Sequence, residues 1–370
     1  MTHTDSVDSG PDNRVLTATA ALDTPFLAVD DAVLDAYLAR MSEFAAGSGL
    51  ALRPHAKTHK STELAHRQIA HGAVGLTVAT IGEAEVFAAA GITDLFIAYP
   101  LWVTESKAQR LRRVMDQAEV LLTVDSAAGA GQLAQHLPGA RVLVEIDSGH
   151  HRTGVHPQRA GDVGHRAVAA GLKVLGAFTF PGHSYQPGRP AGVARQESGA
   201  LAMAAQSLRN GGIDPVIRSG GSTPSASEAD PSVLTEIRPG VYVFGDAQQV
   251  ELGICTFAQV ALTAVTTVVH REAGKVVLDC GSKVLGADQP AWASGGGRLP
   301  TYPDARVIAL SEHHATVDFA NSQSRPEVGD RVQVAPNHVC AAVNLANELM
   351  VVDLAGEVTP WPVRARGANS

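Results

Sequence analysis

Short runs of apolar and β-branched residues alternate with longer amphipathic stretches over the first two-thirds of the 370-residue chain. Successive runs start about 23 residues apart on average, which suits one strand plus one helix. This alternation predicts repeated βα units and a parallel sheet covered by helices. The nine runs that we predict to be strands are 25–30, 51–55, 75–79, 94–99, 120–124, 141–147, 174–180, 216–219 and 240–244.

Three of the intervening stretches have the spacing of amphipathic helices. Residues 31–46 place apolar side chains every three to four positions, and Asp30 or Asp31 is suited to cap the first turn. Residues 105–117 and 194–210 behave similarly. The fold class that we predict is α/β, with a (β/α)8 TIM-type barrel favoured over a doubly wound sheet. Nine strands exceed the eight of a barrel, so one must belong elsewhere.

The pattern changes beyond Glu251, where helical periodicity fades. Short β-runs separated by Gly, Pro and Asp follow at 259–269, 275–278, 306–309, 331–334 and 349–354. They predict a separate, mainly antiparallel β-domain. We therefore divide the chain into a polar N-terminal segment, a barrel and a C-terminal β-domain, at residues 1–24, 25–255 and 256–370.

Composition narrows the class of protein. The 29 basic and 37 acidic side chains give a net charge of −8 without a basic stripe, which argues against a nucleic-acid partner. The three cysteines are too few for a disulfide framework, and the first residues lack the apolar core of a signal peptide. No apolar run approaches the ~18 residues of a membrane span. We expect a soluble, cytoplasmic protein that binds no membrane.

Residues 53–60, Arg-Pro-His-Ala-Lys-Thr-His-Lys, place Lys57 among histidines and other cations after a predicted strand. Neighbouring positive charge and partial burial both lower the pKa of a lysine and expose a nucleophilic amine. Such an amine can form a Schiff base with an aldehyde such as that of pyridoxal phosphate. The alternative is an ordinary basic turn, since charged residues usually face water.

Other polar segments follow predicted strands, at 145–152, 181–185 and 219–223. In a parallel barrel the C-terminal ends of the strands meet at one rim, where active sites lie. The sequence Ser-Gly-Gly-Ser-Thr at 219–223 offers open backbone amides and hydroxyls, which suit a phosphate group. The alternative for this segment is a simple turn.

His338 and Cys340 lie two positions apart, so their side chains share a face if the segment is extended. An imidazole and a thiolate side by side suit zinc. A site with two protein ligands would be open to water or substrate, as in catalytic zinc sites. The alternative is a core cysteine beside a hydrogen-bonded histidine.

Together these motifs resemble the D-threonine aldolase and D-serine dehydratase family, which has the alanine racemase type of pyridoxal phosphate fold. The resemblance implies a (β/α)8 barrel followed by a β-domain, with the first strand, near Pro25, joining the outer structure. The matching positions are 23–25, 53–60, 145–149, 152–154, Gly182, Tyr185, 238–242, 279–281 and 336–340.

The resemblance also implies a cofactor site. Lys57 would be the catalytic residue and the covalent anchor of pyridoxal 5'-phosphate, and Arg152 would face the phenolic oxygen of the cofactor. Either Tyr185 or Arg238 would meet the ring nitrogen. The phosphate would be held by the glycine-serine turn and by the amides near Gly240. The remaining cofactor-binding residues implied in this way are Gly221, Ser222, Thr223, Gly240, Val241 and Tyr242.

His338 and Cys340 match the metal ligands of the family. We expect zinc, because a soft thiolate favours it over manganese or magnesium. The aldolases of the family have Asp where this chain has Cys340, which favours a D-serine dehydratase (D-serine ammonia-lyase) that forms pyruvate and ammonia. The family also implies a homodimer and a small D-amino acid substrate.

Several other functions stay open at this point. The main alternative is a D-threonine aldolase that forms glycine and acetaldehyde from the same parts. An amino-acid racemase is a third possibility. A non-catalytic pyridoxal phosphate carrier and a metal-binding structural protein complete the set.

Overall fold

The computed structural model describes residues 11–370, which form two compact units. One unit contains the described residues up to Tyr37 together with Val243–Val363. The other contains Leu38–Tyr242 and Arg364–Ser370. Each unit has its own β-sheet.

The described residues contain seventeen strands. They are β1 Phe26–Asp30, β2 Ala51–Leu52, β3 Leu76–Val78, β4 Asp94–Ile97, β5 Glu119–Val124, β6 Arg141–Glu145, β7 Lys173–Phe178, β8 Ile217–Gly220, β9 Glu236–Ile237, β10 Leu262–Glu272, β11 Lys275–Leu278, β12 Gly297–Arg298, β13 Arg306–Leu310, β14 Ala315–Asp318, β15 Arg331–Pro336, β16 Glu348–Val352 and β17 Val358–Pro362.

The same residues contain eleven α-helices, several of them linked to strands by short 3-10 turns. They are α1 Pro11–Ala18, α2 Asp31–Gly47, α3 Thr62–Ala70, α4 Ile81–Ala89, α5 Glu105–Met115, α6 Ala127–His136, α7 Ala160–Ala169, α8 Pro190–Asn210, α9 Ala247–Glu251, α10 Ser282–Leu285 and α11 Val339–Leu345. The three helices predicted from amphipathic spacing correspond to α2, α5 and α8. Asp30, rather than Asp31, caps α2, because its Oδ1 accepts from the N–H of Ala32 at 3.0 Å.

Strands β2 to β9 form a parallel sheet in the order β2-β9-β8-β7-β6-β5-β4-β3. The two end strands also meet, because His55 and Thr77 form a parallel bridge and Val74 N–H donates to Leu52 O at 2.9 Å. The predicted (β/α)8 barrel is therefore confirmed. Its strands are rich in buried aliphatic residues because helices cover them outside and side chains fill the interior.

One predicted strand is wrong and one was missed. Residues 240–244 do not form a strand, since Val241–Val243 is a 3-10 turn. The eighth barrel strand is instead β9, which is only two residues long and pairs with β2 and β8. The apolar residues 241–244 follow Pro239-Gly240 and are buried in a turn after β9.

The surplus strand of the sequence analysis is β1. It pairs antiparallel with β10 and parallel with β16, in a sheet of nine strands. The central path of this sheet is β13-β14-β11-β10-β1-β16-β17, and β15 pairs with β10 and β12. The remaining pairings are antiparallel, so the predicted β-domain is confirmed and the first strand joins it, as the resemblance implies.

The compact units do not share all the boundaries predicted from sequence. Residues 25–37 and 243–255, which we predicted to be part of the barrel, group by their contacts with the β-domain. For the first of these segments the reason is that β1 is hydrogen-bonded into the sheet of the β-domain. Arg364–Ser370 returns to the barrel unit, where Ala365 N–H donates to Lys60 O at 3.0 Å. Of the predicted polar segment, residues 1–10 lie outside the described residues. None of the described helices combines the length and hydropathy needed to cross a bilayer.

Candidate active site

Lys57 lies on a short 3-10 turn, Ala56–Thr58, at the C-terminal end of β2. His55 precedes this turn in extended conformation, and its Nδ1 accepts a long hydrogen bond of 3.4 Å from the N–H of Lys57. The Lys57 side chain is half-buried, and its Nζ lies 5.3 Å from the centre of the Phe180 ring, just beyond β7. Lys57 is therefore on the rim where active sites of such barrels lie.

Arg53, at the start of the same motif, anchors the lysine turn to the barrel. Its side chain is buried, with Nε 2.7 Å from Glu236 and Nη1 2.6 Å from Asp94. Because the guanidinium bridges carboxylates on β9 and β4, it ties two barrel strands to the chain that leads into Lys57.

His59 and Lys60, at the end of the motif, also hold the turn in place. Burial lowers the pKa of His59 to about 4, so the imidazole is neutral at physiological pH, and it hydrogen-bonds Gln68 at 3.1 Å. Lys60 is buried and lies 3.1 Å from the carboxylate of Glu83. The basic residues around Lys57 are thus largely structural, which sequence alone does not reveal.

Three cations, Lys57, Arg152 and Arg238, are close enough to His55 to change its ionisation. Burial lowers the pKa of His55 well below its ordinary value, and the three positive charges lower it further. The guanidinium of the exposed Arg152 lies 5.2 Å from the Phe180 ring, the same ring that Lys57 approaches. The structure thus brings together predicted residues from distant parts of the chain, and their charge favours an anionic ligand.

Arg238 follows β9 and is buried inside the barrel. Its Nε donates to Ser219 Oγ at 2.8 Å, its Nη2 donates to Thr179 O, and its guanidinium lies 5.0 Å from the Phe178 ring. Burial lowers the pKa of Arg238, while the carboxylate of Glu236 opposes that shift. These contacts fix the plane of the guanidinium at the ends of β7 and β8.

The predicted phosphate turn follows β8. Gly221 has a φ of +78°, a conformation that favours glycine. Its N–H donates to Glu197 Oε1 at 2.7 Å, and the N–H of Ser222 donates to Ser225 Oγ at 3.1 Å. These two amides are therefore committed within the protein, which leaves the N–H of Thr223 as the donor of this turn.

The turn after β9 supplies further donors. Tyr242 N–H donates to Thr223 Oγ1 at 3.0 Å, so the two turns are adjacent. Gly240 packs on the lysine turn, because a Cβ there would lie 2.6 Å from Thr58 Oγ1. Within residues 11–370, the N–H groups of Thr223, Gly240 and Val241 donate to no other group. They are available for a phosphate.

Tyr185 and Tyr242 occupy different environments. Tyr185 is half-buried and follows a 3-10 turn whose Ser184 Oγ lies 2.8 Å from Ser222 Oγ, so it borders the phosphate turn. Tyr242 is buried, and its hydroxyl accepts from Gln68 Nε2 at 3.1 Å. Burial raises the pKa of Tyr242. The Tyr242 hydroxyl is therefore tied to Gln68 within the barrel unit.

Glu145, at the end of β6, carries a buried polar atom without a partner. The residue is 3% exposed, and its Oε1 accepts from Thr153 Oγ1 at 2.8 Å. Its Oε2 has no hydrogen-bond partner in the described part of the chain. Burial raises the pKa of Glu145, and the charges of Arg152 and Arg238 oppose the shift. A carboxyl group in this state needs a further partner.

These observations fit pyridoxal phosphate. The available amides of Thr223, Gly240 and Val241 suit its phosphate, and the amine of Lys57 suits its aldehyde. The cationic surroundings suit its negative charge, and the free oxygen of Glu145 offers a polar contact.

The sequence analysis missed Glu197, Phe180 and Glu236. Glu197 had a detectable signal, since it occupies the apolar face of α8 in line with Val193 and Leu201, where a charged residue is unusual. Phe180 belongs to a predicted strand and therefore looked structural. Glu236 lies in the two-residue strand that sequence did not reveal.

The predicted metal ligands lie in the β-domain. The segment is not extended, because His338 is the N-cap of α11 and Cys340 lies in its first turn. The argument for a shared face, which required an extended segment, therefore does not apply. The two side chains nevertheless come within hydrogen-bonding reach, and the negative charge of Cys340, opposed by burial, raises the pKa of His338 well above its ordinary value.

Asp246 supports this pair. Its Oδ2 lies 3.5 Å from His338 Nδ1 and accepts from the N–H of Val339 at 3.2 Å. His338 Nδ1 is buried and makes no hydrogen bond of good geometry within residues 11–370. A thiol and an imidazole within hydrogen-bonding reach of each other, beside a carboxylate, have the donor atoms that a divalent metal such as zinc prefers.

The pair is not a complete metal centre. In residues 11–370, no three His, Cys, Asp or Glu side chains are grouped so as to hold an ion. His338 and Cys340 would therefore supply two ligands and leave positions for water or substrate, as the sequence predicts.

Comparison with known families supports the division into a barrel and a β-domain. The alanine racemase N-terminal domain matches residues 29–248. A putative serine dehydratase domain matches residues 261–352, which include the His338–Cys340 pair.

Individual relatives match over nearly the whole chain. A D-threonine aldolase from Arthrobacter sp. is 33% identical, over 94% of this chain and 94% of the relative. D-threo-3-hydroxyaspartate dehydratase from Delftia sp. HT23 is 30% identical, over 92% and 97%. The solved structure of the Delftia protein superposes with a TM-score of 0.85, at 29% identity over 92% of this chain and 97% of that one.

Proposed function

The chain belongs to the alanine racemase-like family of D-threonine aldolases and D-serine dehydratases, and on that premise we propose that it is a pyridoxal phosphate- and metal-dependent lyase of 3-hydroxy D-amino acids. The reaction that we propose is dehydration of D-serine to pyruvate and ammonia. The observation that carries this choice is Cys340 beside His338, because a thiolate and imidazole pair suits zinc.

In this proposal the barrel residues bind and orient. The amides of Thr223, Gly240 and Val241 would hold the phosphate, and Arg152 would face the phenolic oxygen. When bound, pyridoxal phosphate supplies a conjugated ring that accepts the electron pair released at the substrate Cα. The Lys57 amine removes the Cα proton, from its position beside the Phe180 ring.

His338 and Cys340 would hold the metal, which supplies a Lewis acid for the β-hydroxyl when bound. Asp246 orients the imidazole from its buried position. Departure of the hydroxyl after loss of the Cα proton leads to pyruvate and ammonia. In the aldolase reaction the β-hydroxyl loses its proton instead and the Cα–Cβ bond breaks, so that an aldehyde departs and protonation of Cα gives glycine.

The two proposed partners of the ring nitrogen can be separated. Arg238 is fixed by Ser219 and Thr179, whereas Tyr185 borders the phosphate turn. Arg238→Met and Tyr185→Phe each remove one of these partners. The variant that removes the true partner of the ring nitrogen should shift the visible absorption band of the bound cofactor. The other variant should leave the band in place.

A homodimer is part of the proposal. Two large aromatic side chains, Tyr99 and Trp102, are 43% and 57% exposed on the loop that follows β4, at the same end of the barrel as Lys57. Exposed aromatic residues of this kind are enriched in interfaces. Light scattering should give a molar mass twice that of one chain. Trp102→Glu should lower this molar mass toward that of a single chain. A single-chain mass for the unchanged protein would contradict the dimer.

The test of function is product identification with D-serine, D-threonine and 3-hydroxy-D-aspartate. A keto acid plus ammonia supports dehydration, and glycine plus an aldehyde supports the aldolase, which the 33% identical Arthrobacter relative favours. Formation of the L-enantiomer alone would indicate a racemase. Bound cofactor without any turnover would indicate a carrier.

Cys340→Asp tests the role of the thiolate directly. We expect a shift from zinc toward manganese or magnesium, and a larger share of glycine and acetaldehyde from D-threonine. Cys255→Ser is the matched control, because it removes a different thiol of the same unit. If Cys340→Asp leaves the product ratio and the metal preference unchanged, the Cys340 thiolate does not determine whether the C–O bond or the Cα–Cβ bond of the substrate breaks.

A further inference from the structure

Glu197 is a buried carboxyl group directly beneath the predicted phosphate turn. It lies on α8, is 1% exposed, and its Oε1 accepts from the N–H of Gly221 at 2.7 Å. Gly220 approaches it so closely that a Cβ there would lie 2.4 Å from Oε1. Neither the proposed chemistry nor the motifs of the sequence analysis give this residue a role.

A carboxylate here would oppose the anion that the turn is proposed to bind. Two negative charges near one buried site repel strongly, and burial of an ionised carboxylate is itself costly. A protonated carboxyl removes both penalties, because its carbonyl oxygen still accepts from Gly221 N–H. The geometry is therefore compatible with the neutral form.

The surroundings of Glu197 favour that neutral form. Burial raises the pKa of Glu197 to about 7, and the Gly221 hydrogen bond and the positive charge of Arg238 oppose the shift. Arg238 is shared with the carboxylates of Glu236 and Glu145, so its charge is already balanced in part. The elements packed against α8 carry other titratable side chains, but none of these contributes to the shift in the Glu197 pKa. These side chains are Arg159, Asp162, His165, Arg166, Lys173, His183, Arg218 and Glu228.

We propose that Glu197 is a positioning residue that holds the Gly221–Thr223 turn in place and keeps a proton while a phosphate group occupies that turn. This inference rests on the proposed cofactor site. Binding above neutral pH would then draw one proton from solvent onto the carboxyl, whereas binding at acidic pH would find the proton already present.

The direction of the pH effect follows from linkage. The pKa of about 7 in the folded protein lies above the ordinary value of 4.5, so the stability that this proton contributes is fully present below pH 4.5 and is lost as pH rises through 7. Phosphate binding raises this pKa further. Cofactor affinity should therefore fall above pH 7 through this group, by up to about tenfold per pH unit while one proton is taken up.

The test compares the unchanged protein with Glu197→Gln, which keeps an acceptor for Gly221 N–H but cannot ionise. The dissociation constant of pyridoxal phosphate is measured on apoprotein across the neutral range. We expect the two proteins to agree one unit below the Glu197 pKa. One unit above it, Glu197→Gln should bind about tenfold more tightly than the unchanged protein, and two units above it up to about a hundredfold more tightly. Equal pH slopes for the two proteins overturn the proposal.

Ligand controls separate this inference from the proposed function. Pyridoxal, which lacks the phosphate, should show no slope that depends on Glu197, and inorganic phosphate should show one. If no pyridoxal phosphate binds at any pH, the proposed function fails; if it binds with a slope unaffected by Glu197, only this inference fails. Should Glu197→Gln not fold, calorimetry of the unchanged protein in buffers of different ionisation enthalpy must show proton uptake, and its absence overturns the inference.

Discussion

In the barrel, the turn that carries Lys57 is held by several other segments, whereas in the β-domain His338 and Cys340 depend on one helix start and one carboxylate. The lysine turn contacts Gly240, and its flanks are tied to Glu236 by Arg53 and to Gln68 by His59. The His338–Cys340 pair has one supporting carboxylate, that of Asp246 beside His338. On the proposed function, the barrel would fix the cofactor position, and the β-domain would present a small set of metal ligands.

This difference has a consequence for function. A site held by many contacts tolerates little change in geometry, so relatives are expected to share the cofactor chemistry. A two-residue pair can change ligand type without disturbing a sheet, since Cys340 lies in a short helix. We infer that reactions diverge in the β-domain more readily than in the barrel, and the experiments below test that contrast.

The largest effect should come from Lys57→Ala. Loss of the amine removes the covalent cofactor link and the proposed proton transfer, and proton transfer alone is worth roughly 10²–10⁴-fold in rate. The visible band of the bound cofactor should disappear together with turnover. His338→Ala is the matched variant, expected to lose turnover but keep the band. Loss of the band in His338→Ala, or its survival in Lys57→Ala, would break the comparison.

Gly240→Ala should act on the barrel alone. The added Cβ would lie 2.6 Å from Thr58 Oγ1 and 3.1 Å from His55 O, so the lysine turn must shift. Such overpacking costs about 1–3 kcal/mol, and we expect cofactor affinity and thermal stability to fall while zinc binding is retained. Gly199→Ala is the control, because nothing lies within 4 Å of that position. Normal cofactor affinity in Gly240→Ala would contradict the close packing.

How far sequence could anticipate this site depends on the length of each element. Barrel strands such as β5 are long apolar runs, so alternation predicts them, whereas the two residues of β9 leave no periodic signal. The run at 240–244 has the composition of a strand, yet it turns because the chain must leave β9 and place its amides beside Thr223.

Residue roles were harder to predict than positions. Lys57 and Arg152 come together as the resemblance implies, but only the structure shows that Phe180 joins them. The spacing of His338 and Cys340 predicts a shared face only if the segment is extended, but an N-cap and the first helical turn also bring the two side chains together. Periodicity identifies elements, but it does not reveal caps or contacts across the sheet.

Asp246→Asn should affect the β-domain alone. Asparagine still accepts from the N–H of Gln249, so the start of α9 is kept while the charge beside His338 is lost. Removal of such a supporting carboxylate typically costs about 10–100-fold in metal affinity. A zinc competition assay measures the loss, and the cofactor band should be unchanged. Unaltered zinc affinity would show that Asp246 acts only as a helix cap.

Tyr242→Phe should have the smallest effect and decides between two roles for one residue. The sequence resemblance assigns Tyr242 to the cofactor, whereas its hydroxyl accepts from Gln68, which also bonds His59 beside the lysine turn. If the hydroxyl anchors that turn, its loss should lower the free energy of unfolding in urea by about 0.5–1.5 kcal/mol, with cofactor affinity nearly unchanged. Tyr302→Phe, at a half-buried position in the other unit, is the control. Unchanged stability with weaker cofactor binding would be the opposite result, and it would place the Tyr242 hydroxyl at the cofactor. The lysine turn would then be less firmly anchored than its hydrogen bonds indicate.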